Sequence, residues 1–310
     1  MKTYYNVNLE DLKKIMLDAI NTDRKEHNLR PVSPNENLCG QFQANSMVSE
    51  RFFSHWDRRG ISPLARYNRL GGHAYIAENI SIVYWSLRST IRRSLFKREP
   101  GYSISVSQDE LDRIINNIRK MEYNFIHNDK AHQNLHRENI LDRYHNKISL
   151  GISLKEIIFN GYAYLIIAVV QDFENYFTKT SVSESPEGIY FHGDKSPKIS
   201  ISYGIILGSI YEPAPLWTSH SNSLVELDQR QRYNDGEPVV AMSAQNMIIT
   251  VDNDSALETI PIEIKDMGEK YDVFVKRSMI DKFTKKNQYY SLVLYDEKYT
   301  FPIVSHTLFL

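Results

Sequence analysis

Histidines and carboxylates are the side chains of this chain that can ligate a divalent metal or move protons near neutral pH. His132-Gln133-Asn134-Leu135-His136 carries two histidines four residues apart, a spacing that puts both rings on one face of a helix. A glutamate after the first histidine would complete a zinc-protease helix and supply its general base. Gln133 stands in that place, so the base is missing and His132 reads as at most an added metal ligand. His127 reads as a loop histidine.

Nucleophile chemistry has less support. Ser54 precedes His55, but adjacent side chains on a helix point apart, so they form no Ser-His pair. No Gly-x-Ser-x-Gly elbow occurs. Gly71-Gly72 reads as a helix stop and not a phosphate loop. The single cysteine, Cys39, cannot form an intramolecular disulfide and reads as a small apolar core residue. Arg88, Arg92, Arg93, Lys97 and Arg98 form the one marked basic run. It reads as a solvated helix face, with a docking patch for an acidic polymer or lipid headgroup as the sharper alternative.

Elements must position these groups. The 310 residues allow two domains, and 42% hydrophobic with 24% charged residues is an ordinary globular balance. Lys and Arg total 37 against 38 Asp and Glu, for a net charge of −1, which argues against nucleic-acid binding. No apolar run approaches the ~18 residues of a transmembrane helix, and the first residues carry no apolar signal segment.

Asn8 to His27 reads as an amphipathic helix capped by Asn8, with Leu12, Met16 and Ile20 on its apolar stripe. A second helix is expected over Asn37 to Phe53. A third begins at Ser62-Pro63 and ends at Gly71-Gly72. Ile80 to Ser107 looks less regular, with a helix possible over Ser86 to Lys97. Gln108 to Phe125 is helical by its Leu111, Ile114, Ile115, Ile118 and Met121 stripe. Lys147 to Leu154 and Tyr162 to Asp172, separated by Asn160-Gly161, predict a hairpin. Thr178 to Pro197, rich in Ser, Pro, Lys and Gly, reads as a linker or exposed loop. Strand-like runs then fill the remainder, among them Ile199 to Tyr211, Met247 to Val251 and Tyr289 to Tyr295, and suggest a β-sandwich.

Four segments carry a resemblance. They are Phe52-Phe53-Ser54-His55-Trp56 with the following Asp57-to-Pro63 turn; Ala77-Glu78-Asn79-Ile80; His136-Arg137-Glu138-Asn139-Ile140-Leu141-Asp142; and the pair Ile148–Ile152 and Tyr164–Phe173. In this order they resemble the CAP superfamily (SCP-like), prokaryotic branch, over roughly the first half of the chain. Ala77 and Leu135 replace glycines usual in that family, and its common tryptophan before the third motif is missing.

The resemblance implies a CAP-type α-β-α sandwich over 1–175. With the linker expected over 176–198 and the strand-like runs expected to form an all-β, sandwich-like domain over 199–310, the fold class is α+β. The resemblance also implies a polar cleft of two histidines and two acidic residues. By motif position these are His55, Glu78 and His136, with Glu122 as fourth member and Asp129 as the alternative. Two imidazoles and a carboxylate can hold a divalent metal, zinc being the expected one with His55 and His136 as ligands, or can act as acid and base. The same groups can equally be structural, hydrogen-bonding across the fold. The expected role is binding of a lipid, glycan or protein ligand, with a metal-assisted, peptidase-like hydrolase as the alternative. The resemblance implies an extracellular location.

Overall fold

The computed structural model describes residues 4–87, 104–211, 217–218, 223–228, 236–245, 250–251, 255–298 and 301–309. The expected helix over Ser86 to Lys97 and the basic run lie almost wholly outside these residues, as does most of Met247 to Val251. The chain divides into two compact units. The first comprises Met1–Ser54, Glu78–Phe173 and Trp217–Gln229; the second comprises His55–Ala77, Glu174–Leu216 and Arg230–Leu310.

In chain order the first elements are β1 (Tyr4–Val7), α1 (Leu9–Glu26), β2 (Ser33–Pro34), α2 (Cys39–Glu50), β3 (Phe52–Phe53), α3 (Pro63–Arg69), β4 (Tyr75–Ser86), β5 (Ile104–Ser107), α4 (Gln108–His127), α5 (Leu135–Leu141), β6 (Lys147–Phe159) and β7 (Tyr162–Asn175). Asn8 caps α1 as expected, its Oδ1 accepting from the Glu10 amide at 3.0 Å. Ser62 caps α3 ahead of Pro63.

A four-stranded sheet of order β2-β6-β7-β4 is the centre of the first unit. Its hairpin turns at Asn160 and Gly161, both at positive φ (50° and 79°), as a two-residue turn between twisted strands requires. Side chains alternate along β7. Leu165, Ile167, Val169 and Phe173 pack with Met16 and Ile20 of α1 and Ile114, Ile118 and Met121 of α4. Ile166, Ala168 and Val170 pack with Ala44, Met47 and Val48 of α2. Helices therefore cover both faces, and β7 reads as a continuous apolar run because neither face meets water.

Two contacts hold this layering. α2 approaches β6 most closely at two glycines: a Cβ on Gly151 would stand 1.9 Å from the Gly40 carbonyl oxygen. Arg24, fully buried near the end of α1, donates to the carbonyls of Arg30 (2.8 Å), Ile140 (2.6 Å), Asp142 (2.9 Å) and His145 (2.9 Å). Its guanidinium thereby satisfies carbonyls that the end of α5 leaves without intrahelical partners.

The later elements are β8 (Thr178–Glu184), β9 (Gly188–Lys195), β10 (Ile201–Ile210), β11 (Trp217–Thr218), β12 (Glu226–Asp228), β13 (Glu237–Ser243), β14 (Thr250–Val251), β15 (Ser255–Ala256), β16 (Thr259–Pro261), β17 (Glu263–Asp266), β18 (Lys270–Lys276), α6 (Arg277–Ile280), β19 (Gln288–Asp296) and β20 (Pro302–Phe309). They give the second unit a five-stranded sheet, β16-β13-β10-β19-β20, and a four-stranded sheet, β17-β18-β9-β8. α3 belongs to this unit, where Asn68 donates to Ser305 Oγ at 2.8 Å and the Ser62 amide donates to the Tyr289 hydroxyl at 2.9 Å. The fold is thus mixed α+β, helices on sheets first and β-rich sheets after residue 178.

Three local expectations change. Thr178 to Pro197, expected as linker or loop, forms β8 and β9. Along β9 Ile189, Phe191, Gly193 and Lys195 are buried while Tyr190, His192 and Asp194 are exposed, so period-two burial hides inside a polar composition. Lys195 reaches the interior paired with Asp266 at 3.1 Å and donating to the Ile199 and Gly268 carbonyls. The beginning of the stretch expected to be irregular, from Ile80, belongs to β4, whose Ile80 and Ile82 face one core cluster and Val83 and Trp85 the other. The second helix stops at Glu50, because Arg51 turns left-handed (φ 57°) and Phe52–Phe53 leave as β3. β12 pairs parallel with β3 (Glu226 with Phe52, Leu227 with Phe53), so a segment from the second half of the sequence joins the first unit. Its neighbours Leu224 and Val225 are buried against the α2 face of the sheet.

Candidate metal centre

His136 lies one residue into α5, and its surroundings are built by the turn that precedes it. After α4 ends at His127, one turn of 3-10 helix runs from Asp129 to His132. Gln133 and Asn134 then both adopt left-handed backbone (φ 59° and 64°) before α5 starts. The two histidines are therefore not on one continuous helix. The double left-handed step nevertheless brings the rings together, at 4.9 Å between centroids and nearly perpendicular.

Asp129 sits beneath them, almost fully buried. Its Oδ1 lies 2.5 Å from His136 Nδ1, and its Oδ2 accepts the Arg137 backbone amide at 3.1 Å. The carboxylate orients the His136 ring. Phe125 packs against the other side of the ring at 4.7 Å between centroids. Arg137 closes the outer side, donating to the Ile126 carbonyl at 2.9 Å and lying 3.0 Å from His27 Nε2.

Among the described residues, Asp129, His132 and His136 are the group that could hold a metal ion, with one ligand atom from each within 4.8 Å of the others. Two imidazoles and one carboxylate suit zinc or another borderline divalent ion. His132 is exposed, so its ring can swing to close the set on the solvent side. Sequence reading gave His132 a minor part because the helix motif lacked its glutamate. The usable signal was the four-residue histidine spacing taken together with Asp129, three residues before the first histidine.

The other expected residues fall as follows. Glu122 is on α4, 1% exposed, at the centre of the apolar face that packs on the sheet. Gln171 Nε2 donates to its Oε2 at 2.6 Å, while its Oε1 has no hydrogen-bond partner. Burial is the main reason that its pKa is pushed up to about 8; the Gln171 bond opposes this and the Asp23 charge adds to it. Glu122 is therefore a neutral carboxylic acid at pH 7. Glu78 is buried on β4, and its neighbour Asn79 hydrogen-bonds to α5. His55 falls in the second unit, edge-on to Trp56 at 6.5 Å, with its carbonyl accepting from Arg66 at 3.0 Å.

The motif asparagines have a structural explanation. Asn139 of the third motif donates to Asn79 Oδ1 of the second at 2.9 Å, so two separated sequence signatures meet as one hydrogen bond. No helix among the described residues is long and apolar enough to cross a membrane. No curated protein matches the chain. Residues 17–166 match the CAP family, described as the cysteine-rich secretory protein family, on the helices and sheet that carry this site. The chain thus contains a CAP domain at residues 17–166, followed by a further strand-rich region.

Proposed function

We propose that the chain is an extracellular binding protein whose CAP domain holds a zinc ion at Asp129, His132 and His136. Its ligand is a lipid, a glycan or another protein. The observation that carries this reading is the convergence of the three ligand atoms. Export is supported by the domain family, whose members are typically secreted. Three protein ligands leave a position open on a tetrahedral ion, through which a ligand can be gripped.

Zinc titration by calorimetry tests the reading. The wild type is expected to bind one zinc per chain. His132→Ala and His136→Ala are each expected to weaken binding at least tenfold. A wild type that takes up no zinc sinks the proposal. His55→Ala belongs in the same series as a control, with zinc affinity expected to be retained.

The three-ligand set also favours a second reading, metal-assisted hydrolysis. A zinc held by Asp129, His132 and His136 would supply the activation of water that such chemistry needs. Glu78 is the expected general base. Zinc-dependent peptide turnover that disappears in Glu78→Gln, with the metal retained, would favour this reading over simple binding.

A further inference from the structure

A chain of side-chain hydrogen bonds behind the metal group has every amide orientation fixed. Asn79 Nδ2 donates to the backbone carbonyl of His136 and to Gln171 Oε1, both at 3.1 Å. Asn79 Oδ1 accepts from Asn139 Nδ2 at 2.9 Å. Gln171 Nε2, its acceptor already used by Asn79, donates to Glu122 Oε2 at 2.6 Å and to Met16 Sδ at 3.3 Å. Asn79 and Gln171 are fully buried and Glu122 nearly so.

Asn79 thus holds α5 at two points, the His136 backbone carbonyl and the Asn139 side chain. α5 has seven residues, too few to hold its conformation alone, and the chain enters it through two left-handed residues. Asp129 holds the entry to α5 through His136 Nδ1 and the Arg137 amide. The grip from β4 is a second restraint, acting on the body of the helix.

We propose that Asn79, with Asn139, is a positioning residue for the metal group. It sets the rotation and depth of α5 and so the geometry in which His136 meets Asp129 and His132. This inference rests on the zinc-binding reading above. Outer partners of this kind typically change metal affinity by roughly 10–100-fold.

The test compares wild type, Asn79→Ser and Asn139→Ala. Zinc affinity, the visible spectrum of the cobalt(II)-loaded protein and the melting temperature of the metal-free protein are read for each. Asn139→Ala removes only one of the two grips and is the variant expected to keep its fold if Asn79→Ser does not. The expected result is a loss of zinc affinity of roughly 10–100-fold, with a changed cobalt spectrum reporting altered coordination. A merely structural role would lower the melting temperature and leave affinity and spectrum as in the wild type, which would overturn the positioning role alone. No zinc or cobalt uptake by the wild type would instead overturn the metal reading itself.

Discussion

Gly151→Ala should destabilise the first unit by about 3 kcal/mol or more, at or beyond the upper end of ordinary overpacking. The added Cβ would stand 1.9 Å from the Gly40 carbonyl oxygen, 2.2 Å from its carbon and 2.6 Å from the Gln41 nitrogen. All three are backbone atoms, so no side chain can turn aside; α2 or β6 must move as a whole. Movement would break the seam between them, where Gln41 donates to the Ile152 carbonyl at 2.9 Å and Ser149 Oγ donates to that of Asn37 at 2.5 Å. Urea unfolding of Gly151→Ala beside Gly161→Ala checks the cause. A Cβ on Gly161 meets nothing within 4 Å, and only its left-handed backbone (φ +79°) resists substitution. That control should cost ~1 kcal/mol. Equal losses in the two variants would show that the α2–β6 approach is not the constraint.

Glu122→Gln should stabilise the protein by about 3 kcal/mol at pH 7 and flatten its stability against pH. The folded carboxyl titrates near 8, against an ordinary value of 4.5. Below pH ~4.5 both folded and unfolded chains hold the proton, and the group contributes no penalty. Between 4.5 and 8 the unfolded chain has released it and the folded chain has not, so stability falls by ~1.4 kcal/mol per pH unit. Above 8 the loss is complete and level. A glutamine cannot ionise in either state, so it removes this slope; what slope remains includes that of Asp23, whose pKa burial also raises. Urea midpoints at pH 5, 6.5 and 8 measure the difference. Parallel pH profiles for wild type and variant would mean that Glu122 ionises at its ordinary pH despite its burial.

Much of the amino-terminal half was legible because local signals agreed with the final packing. The Leu12, Met16 and Ile20 stripe, the Asn8 cap, the Ser62-Pro63 helix start and the Asn160-Gly161 turn each record a short-range constraint in a few neighbouring residues. Where the decisive partner is remote, the sequence is silent. Nothing near Glu226–Asp228 announces a parallel pairing with Phe52–Phe53. The β8–β9 hairpin was masked by its exposed faces, which are polar because water covers them. The metal group was half visible. His136 and Asp129 were named, but His132 was weighed against a single-helix motif. The left-handed pair Gln133 and Asn134 brings its ring beside His136 by another route, and neither residue is a glycine that would have advertised the turn.

The exchange of segments between the two units bears on how the protein is made. The first unit takes residues Trp217–Gln229 from late in the chain, and the second takes His55–Ala77 from early in it. During synthesis the amino-terminal unit emerges with β3 lacking its neighbour until about 170 further residues have left the ribosome, given that Phe52 pairs with Glu226. The early segment waits longer still, because the Asn68 partners Ser305 and Thr307 lie at the end of the chain. Such distant closures slow folding relative to a chain of local contacts. For this protein they place the completion of the first unit after residue 229 and that of the second after residue 307, so nascent chains arrested before residue 226 should present an unpaired Phe52–Phe53 edge to chaperones.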